Sequence, residues 1–319
     1  MVLIPKKILE DYESNNIDRQ SAIKSFISLI ENSDNDELRV ECLRNFEKIG
    51  IKGEEIFKFL ENLLISDSSN DVRAVTAELI KNNFIEKALP VMKWAITYET
   101  DCECLYYILS ALKVINNQES RSVVIEEIKK IKKMKYLLPD SNISNKPFRK
   151  EIKKLFKTKK VENFSQSELV DIIMNFKIIA ALKKKFYSVY YELENAEVVK
   201  LDLSDIEYEV RGWKSEFKNN IKDLSEIPGL KHLKSLKYLY LSNNQISNIK
   251  DLINLPELTQ IYISNNEITD EINLEYIRML PNLNYLDITG NELAKKVRCE
   301  DFKNNLHVKL TDLRNPYYY

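Results

Sequence analysis

Apolar residues along this 319-residue chain follow two different periods. From residue 20 to 116 they recur every three or four places: Ala22, Ile23, Phe26, Leu29 and Ile30; Leu38, Cys42, Phe46 and Ile49; Ile56, Phe59, Leu60, Leu63 and Leu64; Val72, Val75, Leu79 and Ile80. A further pair follows over 89–96 and at Leu105, Ile108, Leu112 and Ile115. That spacing puts one apolar stripe on each of a series of helices. Turn-rich breaks at 32–35, 50–53 and 66–70 separate them into pairs. Two pairs share a register: Glu37-Leu38-Arg39 and Asp71-Val72-Arg73 open their second helices, 34 residues apart. The acid suits a helix start, and the arginine two places on is placed to reach an acid of the neighbouring pair. A third stretch, Asp101-Cys102-Glu103-Cys104-Leu105, has no arginine and leaves the register.

Past residue 160 the pattern changes. Ser165 and Glu168 form a capping box that starts a helix running to about Leu182. Residues 186–193 and 196–203 are rich in Tyr, Val and Leu and flank Glu194-Asn195, which reads as a hairpin. Then comes a repeat: LKYLYLSNNQI, LTQIYISNNEI and LNYLDITGNEL, opened by Leu236, Leu258 and Leu283 at spacings of 22 and 25. Each copy carries apolar residues three and five places after its opener, Leu239/Leu241, Ile261/Ile263 and Leu286/Ile288. An asparagine sits eight places on, at Asn244, Asn266 and Asn291. In Leu-x-Leu the two apolar side chains share one face of a short strand. One such strand cannot bury that face alone, so the copies must stack into a parallel sheet with a common core. Each asparagine amide can both donate and accept, which satisfies backbone groups that the turn after the strand would leave unpaired.

These residues resemble the leucine-rich repeat family, and the 22-residue spacing resembles its SDS22-like class. The Asp/Arg register of the first half resembles HEAT-type helical repeats, in which such pairs link adjacent units. The resemblances imply a multidomain fold: an N-terminal all-α helical solenoid, then an α/β leucine-rich repeat solenoid with a short parallel sheet. The expected division is 1–135 for the helical solenoid, 136–185 for a basic helical junction, and 186–319 for the repeat domain with its caps. Val198, Leu201 and Leu203 match the repeat openers, so the hairpin partner of that strand covers the first edge of the sheet. The interval from Val198 to Leu236 is about sixteen residues longer than a 22-residue repeat takes, and the excess falls within 205–226, including Arg211, Trp213 and Phe217. Such an insertion is either a cap flap or a binding loop. A last strand is expected over 306–310, with 299–305 as a helical approach and the Tyr317–Tyr319 tail as a cap or a disordered end.

Composition narrows the classes of function. Net charge is −1, four cysteines (Cys42, Cys102, Cys104, Cys299) form no disulfide framework, and no apolar run reaches the length of a membrane span. A reducing, cytoplasmic location without a signal peptide is expected. Charge is uneven, however. Residues 121–160 hold 14 Lys and Arg against 4 Asp and Glu, while residues 1–120 hold 14 against 21. A basic amphipathic helix with Ile152, Leu155 and Phe156 beneath its lysines is either a solvated face or a binding surface for anions. Cys102 and Cys104 alone do not make a metal site. The two histidines, His232 and His307, accompany no nucleophile or metal set.

Strand alternation names the exposed sheet face: Lys200, Asp202 and Ser204; Tyr238, Tyr240 and Ser242; Gln260, Tyr262 and Ser264; Tyr285, Asp287 and Thr289; then His307 and Lys309. Tyrosine supplies large amphipathic contact area and is enriched at protein interfaces, although it is also a good strand former. The candidate partner-binding residues are Asp202, Tyr238, Tyr240, Gln260, Tyr262, Tyr285 and Asp287, with Trp213 from the insertion. No catalytic, cofactor-binding or metal-binding residue is assigned. The expected function is a non-catalytic scaffold or adaptor for a protein partner, with a second partner on the helical solenoid. By resemblance that partner is a small GTPase or a phosphatase. The alternative is a helical-repeat protein that binds nucleic acid through residues 121–160, with DNA processing as its enzymatic form. The acidity of residues 1–120 weighs against nucleic acid, and no membrane partner is expected.

Overall fold

The computed structural model describes residues 4–138, 143–186, 188–210, 216–219, 221–302 and 306–311. Two compact units divide the chain, Met1–Glu126 and Glu127–Tyr319.

The first unit is built of helices: α1 (Pro5–Glu13), α2 (Arg19–Asn32), α3 (Asp36–Ile49), α4 (Glu54–Ser66), α5 (Asn70–Asn83), α6 (Leu89–Tyr98), α7 (Cys102–Ile115) and the start of α8 (Gln118–Lys133). Successive helices pair as α2/α3, α4/α5 and α6/α7, and α3, α5 and α7 stack along one side. The stripes read from the sequence supply the core, in which Phe26, Phe46, Leu60, Leu79, Ile80, Leu105 and Ile108 are all buried. Each second helix has a side-chain cap from the residue before it: Asn35, Ser69 and Asp101 accept from the backbone N–H groups of Leu38, Val72 and Cys104.

The arginine register becomes a set of ion pairs between successive pairs of helices. Arg39 of α3 binds Asp67, which follows α4. Arg73 of α5 binds Glu99, which follows α6, with Nε to Oε2 at 2.8 Å and Nη2 to Oε1 at 3.0 Å. Arg39 and Arg73 both occupy the fourth residue of their helices, and in α7 that place is taken by Leu105. The series of guanidinium links stops there.

In the second unit, α9 (Lys146–Thr158) and α10 (Gln166–Lys185) precede the strands. Ser165 and Glu168 form the expected capping box on α10. The main sheet has the order β1-β2-β5-β6-β7-β8, where β1 is Tyr190–Glu194, β2 Glu197–Asp202, β5 Tyr238–Tyr240, β6 Gln260–Tyr262, β7 Tyr285–Asp287 and β8 His307–Lys309. Strand β1 is antiparallel to β2, and all later neighbours are parallel. The turn joining β1 to β2 places Asn195 and Ala196 at φ 54° and 64°, the left-handed pair that suits a tight hairpin. The hairpin covers the edge of β2, and α10 packs on the same strand, its Asn175 accepting the Val198 N–H at 2.8 Å.

The insertion contains a small antiparallel ribbon of its own, β3 (Glu207–Val210) paired with β4 (Glu216–Asn219). Trp213 and Arg211 lie outside the described residues. Short 3-10 helices at Leu224–Glu226, Leu230–His232 and Lys250–Asn254 return the chain between strands. The 25-residue interval uses a longer element, α11 (Ile272–Arg278), which accommodates its additional residues. A short α12 (Glu292–Lys296) follows β7. Before β8 the described chain forms a 3-10 turn at Cys299–Asp301; residues 303–305 of the expected helical approach, like the tyrosine tail, lie outside the described residues.

The asparagines hold the coils in register. Asn266 Nδ2 donates to Leu241 O at 2.9 Å and Ile263 O at 3.0 Å, while its Oδ1 accepts from Ile246 N–H at 3.0 Å. Asn244 and Asn291 repeat the pattern, joining Leu203, Leu241 and Ile221, and Ile263, Ile288 and Ile268. Each amide thus ties its own coil to the one before it. The place eight residues after Val198 is Ile206, so the first coil is closed by apolar packing instead.

A second column runs beside it. Asp205, Asn243, Asn265 and Gly290 all have positive φ, from 49° to 78°. Asn243 Nδ2 donates to Asp205 Oδ2 at 3.0 Å and Asn265 Nδ2 to Asn243 Oδ1 at 2.8 Å. At Gly290 a Cβ would lie 2.1 Å from Asn265 Oδ1, so both the backbone angle and the neighbour require glycine.

Candidate functional site

The strand pairing sets two rows of side chains across the sheet. Lys200, Tyr238, Gln260, Tyr285 and His307 stand side by side in one, and Asp202, Tyr240, Tyr262, Asp287 and Lys309 in the other. Their common face is the one alternation names, because Leu201, Leu239, Ile261 and Leu286 between the rows are buried on the opposite side. Tyr238, Tyr240, Gln260, Tyr262 and Tyr285 are all half-buried.

The rings form a continuous stack across four strands. Tyr240 and Tyr262 lie 4.3 Å apart with planes at 3°, Tyr262 and Tyr285 are 5.0 Å apart, and Tyr285 and His307 are 5.5 Å apart at 26°. The stack steps from one row to the other between β6 and β7. At its other end Lys200 Nζ lies 5.2 Å from the Tyr240 ring centre and 5.4 Å from that of Tyr190. Such contacts contribute about 0.5–1 kcal/mol each where exposed. Glu192 Oε1 accepts from both the Tyr190 hydroxyl at 2.9 Å and Lys200 at 3.2 Å, locking the amine in place.

Hydrogen bonds fix several polar tips. The Tyr262 hydroxyl donates to Gln260 Oε1 at 3.0 Å, and Ser264 Oγ donates to Ser242 Oγ at 2.9 Å. Burial, followed by the adjoining Tyr240 and Asp287, raises the Tyr262 hydroxyl above its ordinary pKa; burial and then Asp287 do the same for Tyr285. Both therefore stay neutral hydrogen-bonding groups through the physiological range.

Two of the candidate carboxylates differ. Asp202 is half-buried, its Oδ1 accepting the Ser204 N–H at 3.0 Å. Asp287, read from alternation as an exposed contact residue, is only 7 % exposed. Its Oδ1 accepts the Thr289 N–H at 3.0 Å and its Oδ2 pairs with Lys309 at 3.2 Å. Strand β8 covers it, so its place in the site is to hold Lys309 beside the stack. Tyr190, which alternation along β1 places on this face, is 55 % exposed and joins the stack through Lys200.

Other candidates from the sequence take structural positions. Cys102 and Cys104 are both buried in α7, and burial raises the Cys104 thiol far above its ordinary range. His232 is buried in a 3-10 turn, and His307 ends the ring stack. Among the described residues no helix is long and apolar enough to cross a membrane.

Residues 234–276 match the family model described as leucine-rich repeats, two copies. The match spans β5 and β6 and supports a leucine-rich repeat protein. Neither the curated proteins nor the solved structures compared with the chain gave a match.

Proposed function

We propose that the chain is a non-catalytic scaffold that holds a protein partner against the aromatic face of its repeat sheet. Leucine-rich repeats commonly mediate protein–protein interaction, and the observation that favours this face is the half-exposed ring stack from Tyr240 to His307. Stacked rings lose little conformational freedom when covered, so their contact area contributes more to binding than that of long flexible side chains. Tyr238, Gln260 and Asp202 supply hydrogen-bonding tips around it, and Trp213 is proposed to add a contact from the insertion. In this reading the repeats are of the SDS22-like class and the first unit is a HEAT-type solenoid offering a second surface. The Arg39–Asp67 and Arg73–Glu99 links support that view of the first unit. The chain is proposed to work in the cytoplasm, and small GTPases and phosphatases are the partner classes to test first.

The test is site-specific photo-cross-linking from Gln260 in the native cell, followed by mass spectrometry. One recurrent protein adduct, lost when Tyr240 and Tyr262 are both alanine, is the expected result. Adducts that persist unchanged in that double variant would remove the sheet face as the site.

A further inference from the structure

We infer that the exposed side of α9 binds the phosphate backbone of nucleic acid, independently of the repeat sheet. Helix α9 is two-sided: Phe148 and Ile152 are buried against the rest of its unit, whereas Lys146, Lys150, Lys153, Lys154 and Lys157 are exposed. With Arg149 these five lysines line a shallow depression of about 660 Å³, with no acidic side chain in its lining among the described residues. Of the six, Lys154 alone has a carboxylate within ion-pair range among the described residues, Glu151 at 3.7 Å. The Nε of Arg149 is buried with no acceptor among the described residues.

The spacing suits a polyanion. Lys146, Arg149/Lys150, Lys153/Lys154 and Lys157 fall on successive turns, about 5.4 Å apart, and span about 16 Å of helix. A row of cations at that interval can follow neighbouring phosphates of one strand. Three kinds of anion are conceivable, and the surface distinguishes them. A membrane-surface helix inserts apolar side chains on the face that meets the lipid, but here Phe148 and Ile152 are committed to the interior and the half-buried Phe156 packs on Phe164. A protein interface draws its affinity from apolar or aromatic anchors, and the exposed residues of α9 are its five lysines with Pro147 and Thr158, with no aromatic or large aliphatic side chain among them. A phosphate backbone requires only well-placed cations and released counterions. Binding of this kind is independent of base sequence.

The experiment is fluorescence anisotropy of the full chain with a labelled 20-base-pair DNA duplex and a labelled 20-nucleotide single-stranded RNA, from 50 to 200 mM KCl. If five to six phosphates are engaged, duplex affinity is expected to fall about a thousandfold over that range. The exposed-site variant Lys150→Gln/Lys153→Gln/Lys157→Gln, with its fold checked by circular dichroism, is expected to bind at least tenfold more weakly. It should also shorten the log–log salt slope by about 2–3. Tyr240→Ala/Tyr262→Ala is expected to bind like the parent, which separates this surface from the sheet face. No retention of either nucleic acid at 50 mM KCl, or an unchanged slope in the triple variant, overturns the inference. Tighter binding to polyglutamate, or to vesicles of 30 % phosphatidylserine, than to both nucleic acids also overturns it, assigning the helix to an acidic protein or a lipid surface.

Discussion

The rings of Tyr240 and Tyr262 lie almost exactly parallel, 4.3 Å apart, on adjacent strands of the repeat sheet. Neither side chain belongs to the core, because the buried residues of those strands, Leu239 and Ile261, point the other way. Replacing both tyrosines with alanine is therefore expected to leave the coil intact. Loss of stability should be about 1–2 kcal/mol, from the stacking and cross-strand contacts alone. Partner capture should fall at least tenfold. Denaturant melts beside quantitative cross-linking read the two effects separately.

Glu99 makes the first unit sensitive to acid. Burial pushes its carboxyl up, but hydrogen bonds from Arg73 and from the backbone N–H groups of Asp101 and Thr100 outweigh that and bring it to about 2, against 4.5 unperturbed. The folded-state pKa is the lower one, so the contribution is complete above about pH 4.5 and disappears as the pH falls toward 2. That contribution is on the order of 3 kcal/mol. Glu99→Gln should lower stability at pH 7 and flatten the acid limb between those values, as measured by urea denaturation across pH.

Asn266→Ala removes one acceptor and two donor contacts to buried backbone at once. The expected cost is about 1–3 kcal/mol, because the buried Ile246 N–H loses its acceptor while Leu241 O and Ile263 O keep the amides of Asn244 and Asn291. Asn266→Asp keeps the acceptor for Ile246 N–H but faces the carbonyls of Leu241 and Ile263 with a second oxygen. It should be at least as damaging at neutral pH and partly recover in acid, when the carboxyl becomes a donor. Thermal melts at pH 7 and pH 4 distinguish the two.

Gly290→Ala meets two obstacles, the backbone angle of φ 78° and Asn265 Oδ1. A loss of about 1–3 kcal/mol is expected. Adding Asn265→Gly removes the side-chain contact and leaves the angle and the Asn265 backbone N at 3.2 Å, so the double variant should recover some stability relative to the sum of the two singles. A double-mutant cycle on thermal stability measures that coupling.

Much of this was legible wherever one residue recurs at one phase. Leu-x-Leu and the following asparagine disclose the strand, its buried side and the bridging amide, because all three follow from the coil repeating every 22 residues. The same alternation places Tyr238, Tyr240, Tyr262 and Tyr285 on one face. Asp287 escapes it: alternation gives the side of a strand but not what the next strand lays over it, and Lys309 arrives from β8. Arg39 and Arg73 announce a link to the neighbouring pair of helices, yet Asp67 and Glu99 sit in connecting segments whose course local pattern does not fix. Asn175 has no periodic counterpart, so nothing in α10 marks it as the residue that accepts from Val198. The ribbon of β3 and β4 is equally silent, since its short strands fall outside the 22-residue register.

The column of Asp205, Asn243, Asn265 and Gly290 bears on how such an array can lengthen. A duplicated 22-residue segment spliced between Asn243 and Asn265 would bring its own asparagine into the column, accept one amide and pass on another. A copy inserted after Gly290 would meet no side chain there to continue the chain of amides, and restoring one would displace Asn265. Growth by gene duplication is thus open on one flank of Asn265 and obstructed on the other, and a single missing Cβ makes the difference.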